Sequence, residues 1–593
     1  MASVIINDRV IEVDGSPARQ VITPFGAHFG TGTLERSDLS LAKSWAFENF
    51  KGGVGVERRN EEGQRDRYGT ADGVNTSKGT EVLLSTLLTT GPDIDSVPEH
   101  AIVFKGDLYI CAADKKIYKR TGDTTTSVQY TAANLITDLI VYNQGGTEFL
   151  FAAFGTQYAY SSDGASWSVP SSAEDADYFT IFDNNLIILS DDDQKIKKSV
   201  NPANSSPTWA VVVSNVQGSA RGVTNFRDQD GKPSIWYATE HGLSQVDYDN
   251  TKAYFIYDYS STPYANNGTS LVEYNGSLHF PIGQELLAIA PQGSVISIGP
   301  DRDDGLTDAD HGTYIARIIK LQNFLLVLNR SSTKSAVFLM DSGQWHPLTY
   351  GLSQTNMLIH EVVTSSGNPR VWVGNGTDAI QFFRFNDQST RKLPFTGQTF
   401  KASGAWETSW EHFGFPEFPK VIFQCVVRAR DLTSTEYVKI EYQADDQDLE
   451  ADWTELGRTD GREGRQIMDF DSGKGINVNN IRLRTTLNRN SSDSSKSPKV
   501  EAIVLKYLPT PEDRYGWEMT IPISDRGLLD WLIGLKDATR NTNIEFYPDA
   551  DKGKAPFYVQ ITNGPTIVGS QDSKSGHKAT TYGVARLTVA VPV

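Results

Sequence analysis

The side chains with a capacity for chemistry in this chain are carboxylates, and they come in short clusters. Asp301, Asp303, Asp304, Asp308 and Asp310 in DRDDGLTDAD supply the oxygen density that calcium favours. An EF-hand loop, however, places glycine sixth and closes with a bidentate Glu. Here Gly305 stands fifth and no Glu follows, so the run reads as a solvated acidic loop, with calcium binding as the alternative. Asp191, Asp192 and Asp193 in SDDDQ read as a turn. Hydrolysis of a glycosidic bond would need two carboxylates at a defined separation across the sugar. No spacing in the sequence selects such a pair, and no catalytic residue is assigned.

Other reactive constellations are missing. The nine histidines do not cluster at metal-ligand spacing, and two cysteines cannot build a cysteine-rich zinc site. Cys111 and Cys425 lie inside separate apolar runs, which predicts two buried thiols rather than a disulfide. No GxxxxGK[ST] loop occurs. FKGGVGVE, with Gly52, Gly53 and Gly55, lacks the strand and helix that a phosphate cradle needs, and GLSQ at Gly242 lacks the context of a nucleophile elbow. No metal and no cofactor are expected.

The elements that would position any site are strands. At 593 residues the chain exceeds the roughly 250 to 300 at which one core stops growing, so several domains are required. A net charge of -18 repels phosphate backbones and anionic lipid, which argues against nucleic acid as a partner. The first residues show no secretory pattern, and no window approaches an apolar membrane-spanning length, so the expectation is folding in a reducing cytoplasm without a membrane span.

From about 96 to 390 one pattern recurs: an apolar strand, a tight turn, a second strongly apolar strand, then another turn and strand. Taking Leu108, Phe149, Leu186, Ile235, Leu278, Phe324 and Val371 as equivalent positions, the steps run from 37 to 49 residues. That spacing predicts a seven-bladed β-propeller of four-stranded units. The second strands are continuous apolar runs, as expected when both faces are covered, with Trp236, Phe280 and Trp372 packed between blades. Ser162, Asp163, Gly164 and Trp167 in YSSDGASW resemble the Asp box of sialidase-type propellers, a hairpin whose Asp caps its own turn and whose Trp packs beneath it.

Residues 1–95 are rich in glycine and charge and read as an extended N-terminal arm that is ordered only against another surface, the chain's own propeller or a neighbouring subunit. Residues 396–508 carry strand after strand and predict a β-sandwich. Residues 509–593 predict a small β-domain with one helix, since Leu528, Trp531, Leu532 and Leu535 recur at helical spacing behind Ser524 or Asp525 as N-cap. The fold class is thus mainly β: a seven-bladed propeller, a sandwich, and a small C-terminal β-domain with one helix. Trp406, Trp410, Phe413 and Phe415, with Pro416 and Pro419, are expected to plug the junction between propeller and sandwich, the alternative being a glycan-binding aromatic face.

The order of these parts, with SWAFENFKGGVGVE and RYGTADGVNT at the start and LLDWLIGLKDATRNTNIEFYPD followed by FYVQITNGPTI at the end, resembles tail proteins of tailed bacteriophages. The terminal segment is similar to the β-domains with one inserted helix of tail-tube and distal-tail proteins. The resemblance implies a non-enzymatic virion structural protein of the tail tip, baseplate or a tail adaptor, assembled in the host cytoplasm as a symmetric homo-oligomer and contacting other tail proteins. The alternative is a host receptor or glycan-binding tail protein, with a propeller glycosidase or depolymerase behind it.

Overall fold

The computed structural model describes residues 2–14, 18–22, 43–55, 66–247, 252–262, 264–300, 314–321, 323–363, 368–376, 379–385, 398–413, 419–445, 453–459, 461–509, 514–523, 526–538, 544–548, 550–553, 556–568 and 584–590. The acidic loop from Asp301 to Asp310 lies outside these residues, as do Phe415, Pro416, Ser524 and Asp525.

Seven small antiparallel sheets follow one another around a ring. Blade 1 runs from Pro98–Phe104 through Asp107–Ala112 and Lys116–Arg120 to Thr126–Thr131, and later blades repeat this meander. Blade 7 is made of Leu358–Val363, Asn368–Gly374 and Ala379–Arg384, and its fourth strand is Thr89–Asp93 from ahead of blade 1. That strand lies inside the stretch read from sequence as an arm. Gly91 makes the pairing possible, because a Cβ there would stand 2.8 Å from the Trp372 ring and 2.9 Å from the Ile380 carbonyl oxygen.

Each pair of neighbouring blades shares an apolar core, and there are seven such cores, so the ring is closed. The second strands explain why the sequence shows unbroken apolar runs. In Leu325–Arg330 of blade 6, Leu325 and Val327 pack towards blade 5 while Leu326 and Leu328 pack towards blade 7. Six of the seven positions aligned by sequence fall within second strands, and Phe324 immediately precedes one. Trp236 and Phe280 share the core between blades 4 and 5, and Trp372 sits between blades 7 and 1.

Blade 2 departs from the four-strand expectation. It has three strands, Asp138–Gln144, Thr147–Ala153 and Tyr158–Ser161. After the third, the chain makes the YSSDGASW hairpin, closed by a Tyr160–Ser168 bridge, and then returns to a second bridge between Gly155 and Ala176 instead of laying down an outer strand.

The ring closure carries its own polar clamp. Glu361 of blade 7, with no exposed side-chain surface, accepts from Arg120 Nη2 of blade 1 at 2.7 Å and from Trp372 Nε1 at 2.6 Å. In the opposite sense, Arg370 of blade 7 reaches Asp123 of blade 1 through both terminal nitrogens, at 2.6 and 3.2 Å. Arg370 also lies 4.2 Å over the Phe382 ring.

The sandwich has two sheets, Thr454–Arg458, Tyr437–Ala444, Ile481–Asn488 and Ser403–Glu407 facing Lys499–Pro509, Lys420–Arg430 and Gly464–Asp469. Each sheet is completed by a strand from the N-terminal segment: Thr70–Asp72 beside Ser403–Glu407, and Lys43–Phe47 beside Lys499–Pro509. In the C-terminal domain the strands Arg514–Pro522, Ile544–Tyr547, Phe557–Val568 and Val584–Ala590 form a seven-stranded sheet together with Ala2–Ile6, Arg9–Val13 and Ala18–Ile22. The helix Arg526–Ala538 buries Leu532 and Leu535 in the same core as Val4, Ile6, Ile11 and Val13. Arg9 lies 4.9 Å over the ring of Trp531 on that helix.

The extended-arm expectation therefore gives way. Those residues lack a core of their own because their apolar side chains belong to cores whose other halves lie at the far end of the sequence. No helix among the described residues is long and apolar enough to cross a membrane.

Sandwich and propeller meet at the outer strand of blade 6, Gln344–Ser353. Thr76 Oγ1 bridges the Tyr68 hydroxyl and His346 Nδ1, the latter at 3.0 Å, and all three side chains are buried. Burial pushes the His346 imidazolium pKa down to about 4.

Two outcomes are expected. Removing Glu361 leaves Arg120 only its longer contact with Asp123, at 3.6 Å, and leaves the buried Trp372 Nε1 without an acceptor, so Glu361→Ala should cost about 3 to 5 kcal/mol of stability in urea unfolding, the range for breaking a buried pair. Because His346 stays neutral when folded but takes up a proton below about 6.5 when unfolded, its contribution is complete above that pH and is lost as pH falls towards about 4. His346→Gln should abolish that part of the pH dependence, read as the difference between variant and parent urea midpoints at pH 7.5 and 5.

Candidate functional site

In the innermost strand of a blade, successive side chains point to the two neighbouring blades, so a regular strand offers little to the central axis. A β-bulge breaks that alternation and re-aims a side chain. Three first strands carry one at the same end: blade 1 between Pro98 and His100, blade 4 between Ala220 and Gly222, and blade 6 between Ile315 and Arg317. The residues left unpaired there are Glu99, Arg221 and Ala316, the last just ahead of Arg317.

At this end of the axis lies a cavity of about 420 Å³. Glu99 and His100 come from blade 1, Tyr178 from blade 3, Tyr314, Arg317 and Arg330 from blade 6, and Asn356 precedes the first strand of blade 7. Chain linking blades 1 to 2 and 4 to 5 completes the wall, including Tyr264, which is half exposed. Arg317 contacts His100 Nδ1, and loss of hydration pushes its guanidinium pKa down to about 10 against a small opposing effect of Glu99. Asn356 donates to Glu99 Oε2 at 2.5 Å and accepts from Arg330. The described part of the site thus gathers two guanidinium groups, one imidazole, one carboxylate and three phenols.

Beside the cavity, Asp138 starts the first strand of blade 2. Its carboxyl accepts from the backbone N–H of Leu139 and of Phe179 in blade 3, both at 2.9 Å. Burial outweighs these bonds and pushes the group up to about 7.

A larger cavity, about 620 Å³, opens at the opposite ends of the strands in blades 3 and 4. There Asp183, Asp228, Asp247 and Glu273 outnumber Arg227 and Lys232. Among the described residues no three His, Cys, Asp or Glu side chains come together as metal ligands.

The residues singled out by sequence are placed as follows. Asp163 caps its own turn, accepting from the N–H of Ala165 at 2.8 Å and of Ser166 at 2.7 Å, which holds its carboxyl well below the usual range. Gly164, at φ +77°, sits so close to Tyr109 that a Cβ would fall 1.9 Å from the phenol oxygen. Trp167 stacks on Tyr130 at 5.1 Å, so the hairpin is structural and stands apart from the axial cavity. Cys111 and Cys425 are both buried and unpaired.

The described members of the aromatic group, Trp406, Trp410 and Phe413, pack on the sandwich side of the junction. Trp406 is fully buried within the sandwich core against Phe47 and Phe50, at 5.2 and 5.4 Å. Trp410 lies under Arg482, and Phe413 stacks on Tyr507 at 4.4 Å. Trp406 and Phe413 pack in and against one sandwich core, and Trp406 meets Tyr68 edge-on at 6.4 Å, so one member of the cluster backs the Tyr68–Thr76–His346 joint from within the sandwich. The axial site was missed, since its residues come from blades hundreds of positions apart and a bulge leaves no mark in an apolar pattern.

No protein-family model matches the chain, and no curated protein matches it in sequence. Solved structures similar to it include the extracellular domain of BT4673, a two-component-system protein from B. thetaiotaomicron, at 12% identity over 60% of this chain and TM-score 0.38. The chain spans 44% of that structure. The computationally designed Ika8 protein is similar at 10% identity, over 50% of this chain and 100% of its own, with TM-score 0.33. BBS1N, solved in complex with ARL6DN, is similar at 14% identity, over 50% of this chain and 96% of its own, with TM-score 0.36.

Asp138 makes the fold sensitive to pH. Its folded pKa lies above the unfolded one, so its contribution is complete below about 4 and is lost as pH rises through about 7. Asp138→Asn should remove that decline, seen as a smaller loss of urea midpoint between pH 5 and pH 8 than the parent shows.

Proposed function

We propose that this chain is a non-enzymatic structural protein of a bacteriophage tail, a tail-tip, baseplate or adaptor component present in symmetric copies and scaffolding neighbouring tail proteins. The observation that supports this most is the C-terminal domain. Its seven-stranded sheet with a single packed helix is the kind of unit that tail-tube and distal-tail proteins carry, and the chain's own first residues complete it. The propeller adds support for a non-catalytic role, because the described part of its axial cavity offers a single carboxylate, Glu99. A net charge of -18 favours protein neighbours over nucleic acid.

The alternative, recognition of a host glycan, is favoured by the axial cavity and is compatible with a place in the tail. Fractionation of purified particles tests the main reading. The chain should co-purify with tails in a fixed ratio to other tail proteins. Ile6→Asp, which places a charge in the C-terminal core, should leave the propeller folded yet give particles without complete tails. Absence of the chain from particles, or full tails containing Ile6→Asp chain, would overturn the proposal.

A further inference from the structure

We infer that the axial cavity of the propeller binds a hexose-sized ligand carrying one oxyanion, either a carboxylate or a phosphate, held by Arg317 with Arg330 beside it on the wall. This goes beyond a scaffolding role and does not depend on where the protein resides.

Charge is the first argument. At the seam between blades 7 and 1 the arginines meet carboxylates: Arg120 meets Glu361 and Arg370 meets Asp123. Arg317 does not. Among the described residues no carboxylate stands at ion-pair distance from it, and its hydrogen-bond contact is the His100 imidazole. The one carboxylate lining the cavity, Glu99, is already engaged by the Asn356 amide, whose oxygen in turn holds Arg330 together with the Gln354 amide oxygen. A guanidinium taken out of bulk water without a counter-ion is costly, and its fork geometry matches the two oxygens of a carboxylate or phosphate.

Shape is the second. About 420 Å³ lies within the range of small-molecule sites. Tyr178, Tyr264 and Tyr314 present phenol rings on its wall, and such rings give a sugar an apolar face to stack on and a hydroxyl to bond.

Local geometry is the third. The bulges before His100 and Arg317 each re-aim the strand where it enters the cavity, and bulges concentrate beside functional sites.

Isothermal titration of the full-length chain with D-glucuronate, glucose 6-phosphate, glucose and inorganic phosphate tests the inference. Glucuronate or glucose 6-phosphate should bind saturably with one site per chain, glucose at least about tenfold more weakly, which is about 1.4 kcal/mol. Which of the two binds identifies the oxyanion. Arg317→Gln and Arg330→Gln should each weaken binding by about tenfold or more. Tyr264→Ala, at a half-exposed rim position, should weaken it without lowering the melting temperature, and it decides the matter if either arginine variant fails to fold. Absence of binding by both charged sugars at about 10 mM, equal binding of glucose, or undiminished binding in variants that melt like the parent would overturn it. Inorganic phosphate binding as tightly as either sugar would overturn the hexose part of the assignment.

Discussion

The rest of the molecule depends on one pairing, that of Thr89–Asp93 with Ala379–Arg384. It closes the ring by making the strand that enters the propeller a neighbour of the strand that leaves it. Both flanking segments therefore depart from the same blade, and they continue together: a bridge joins Thr86 to Phe400, and the Gln398 amide donates to the Thr86 hydroxyl. Once the segments run side by side, sharing sheets is the natural way to satisfy their backbone groups. The N-terminal strands in the sandwich and in the C-terminal domain follow from that geometry rather than from any strength of their own.

The closure is reinforced where it is weakest. A ring whose last blade is assembled from two ends of the chain can open there and nowhere else without breaking a continuous meander. The crossed ion pairs between blades 7 and 1 concentrate at this seam, with Glu361 wholly enclosed and Arg370 stacked on Phe382. Exposed pairs contribute little, whereas an enclosed carboxylate bonded to both a guanidinium and an indole fixes the seam in one register. The axial cavity lies on the ring so closed, and residues of blades 1, 6 and 7 face one another across it only while the seam holds.

The repeats were legible because each blade's second strand is covered on both faces, which leaves unbroken apolar runs such as LLVL at Leu325 to Leu328 between turn residues. The sandwich strands and the helix at Leu528 to Leu535 were legible for similar reasons, since their periods are local. Partnership was not. The opening residues VIINDRVIEV contain a hairpin, with Asn7 and Asp8 at φ 45° and 66° as its two-residue turn, a recognisable signal for a primed turn. Yet nothing in them names Ile544–Tyr547 as the strand they join. A periodic pattern states which face is buried and is silent on what buries it. The same silence hid the axial cavity, because Glu99 and Arg317 reach it by one-residue irregularities that apolar periodicity does not register. Trp406 shows the converse, a conspicuous cluster in sequence that is ordinary core in space.

The shared C-terminal sheet also sets an order on synthesis. The hairpin of Ala2–Ile6 and Arg9–Val13 leaves the ribosome long before the strand it joins, and Ile5 and Ile6 must wait for Tyr547 and Phe546. At roughly 5 to 20 residues per second, translation keeps that hairpin without its sheet for about half a minute or more. Throughout that interval it presents an apolar face and an open strand edge to every other nascent chain on the same message, each offering the same edge in return. Correct folding of one copy thus competes with exchange of N-terminal strands between copies, and the competition turns on how densely ribosomes are loaded rather than on the stability of the finished protein.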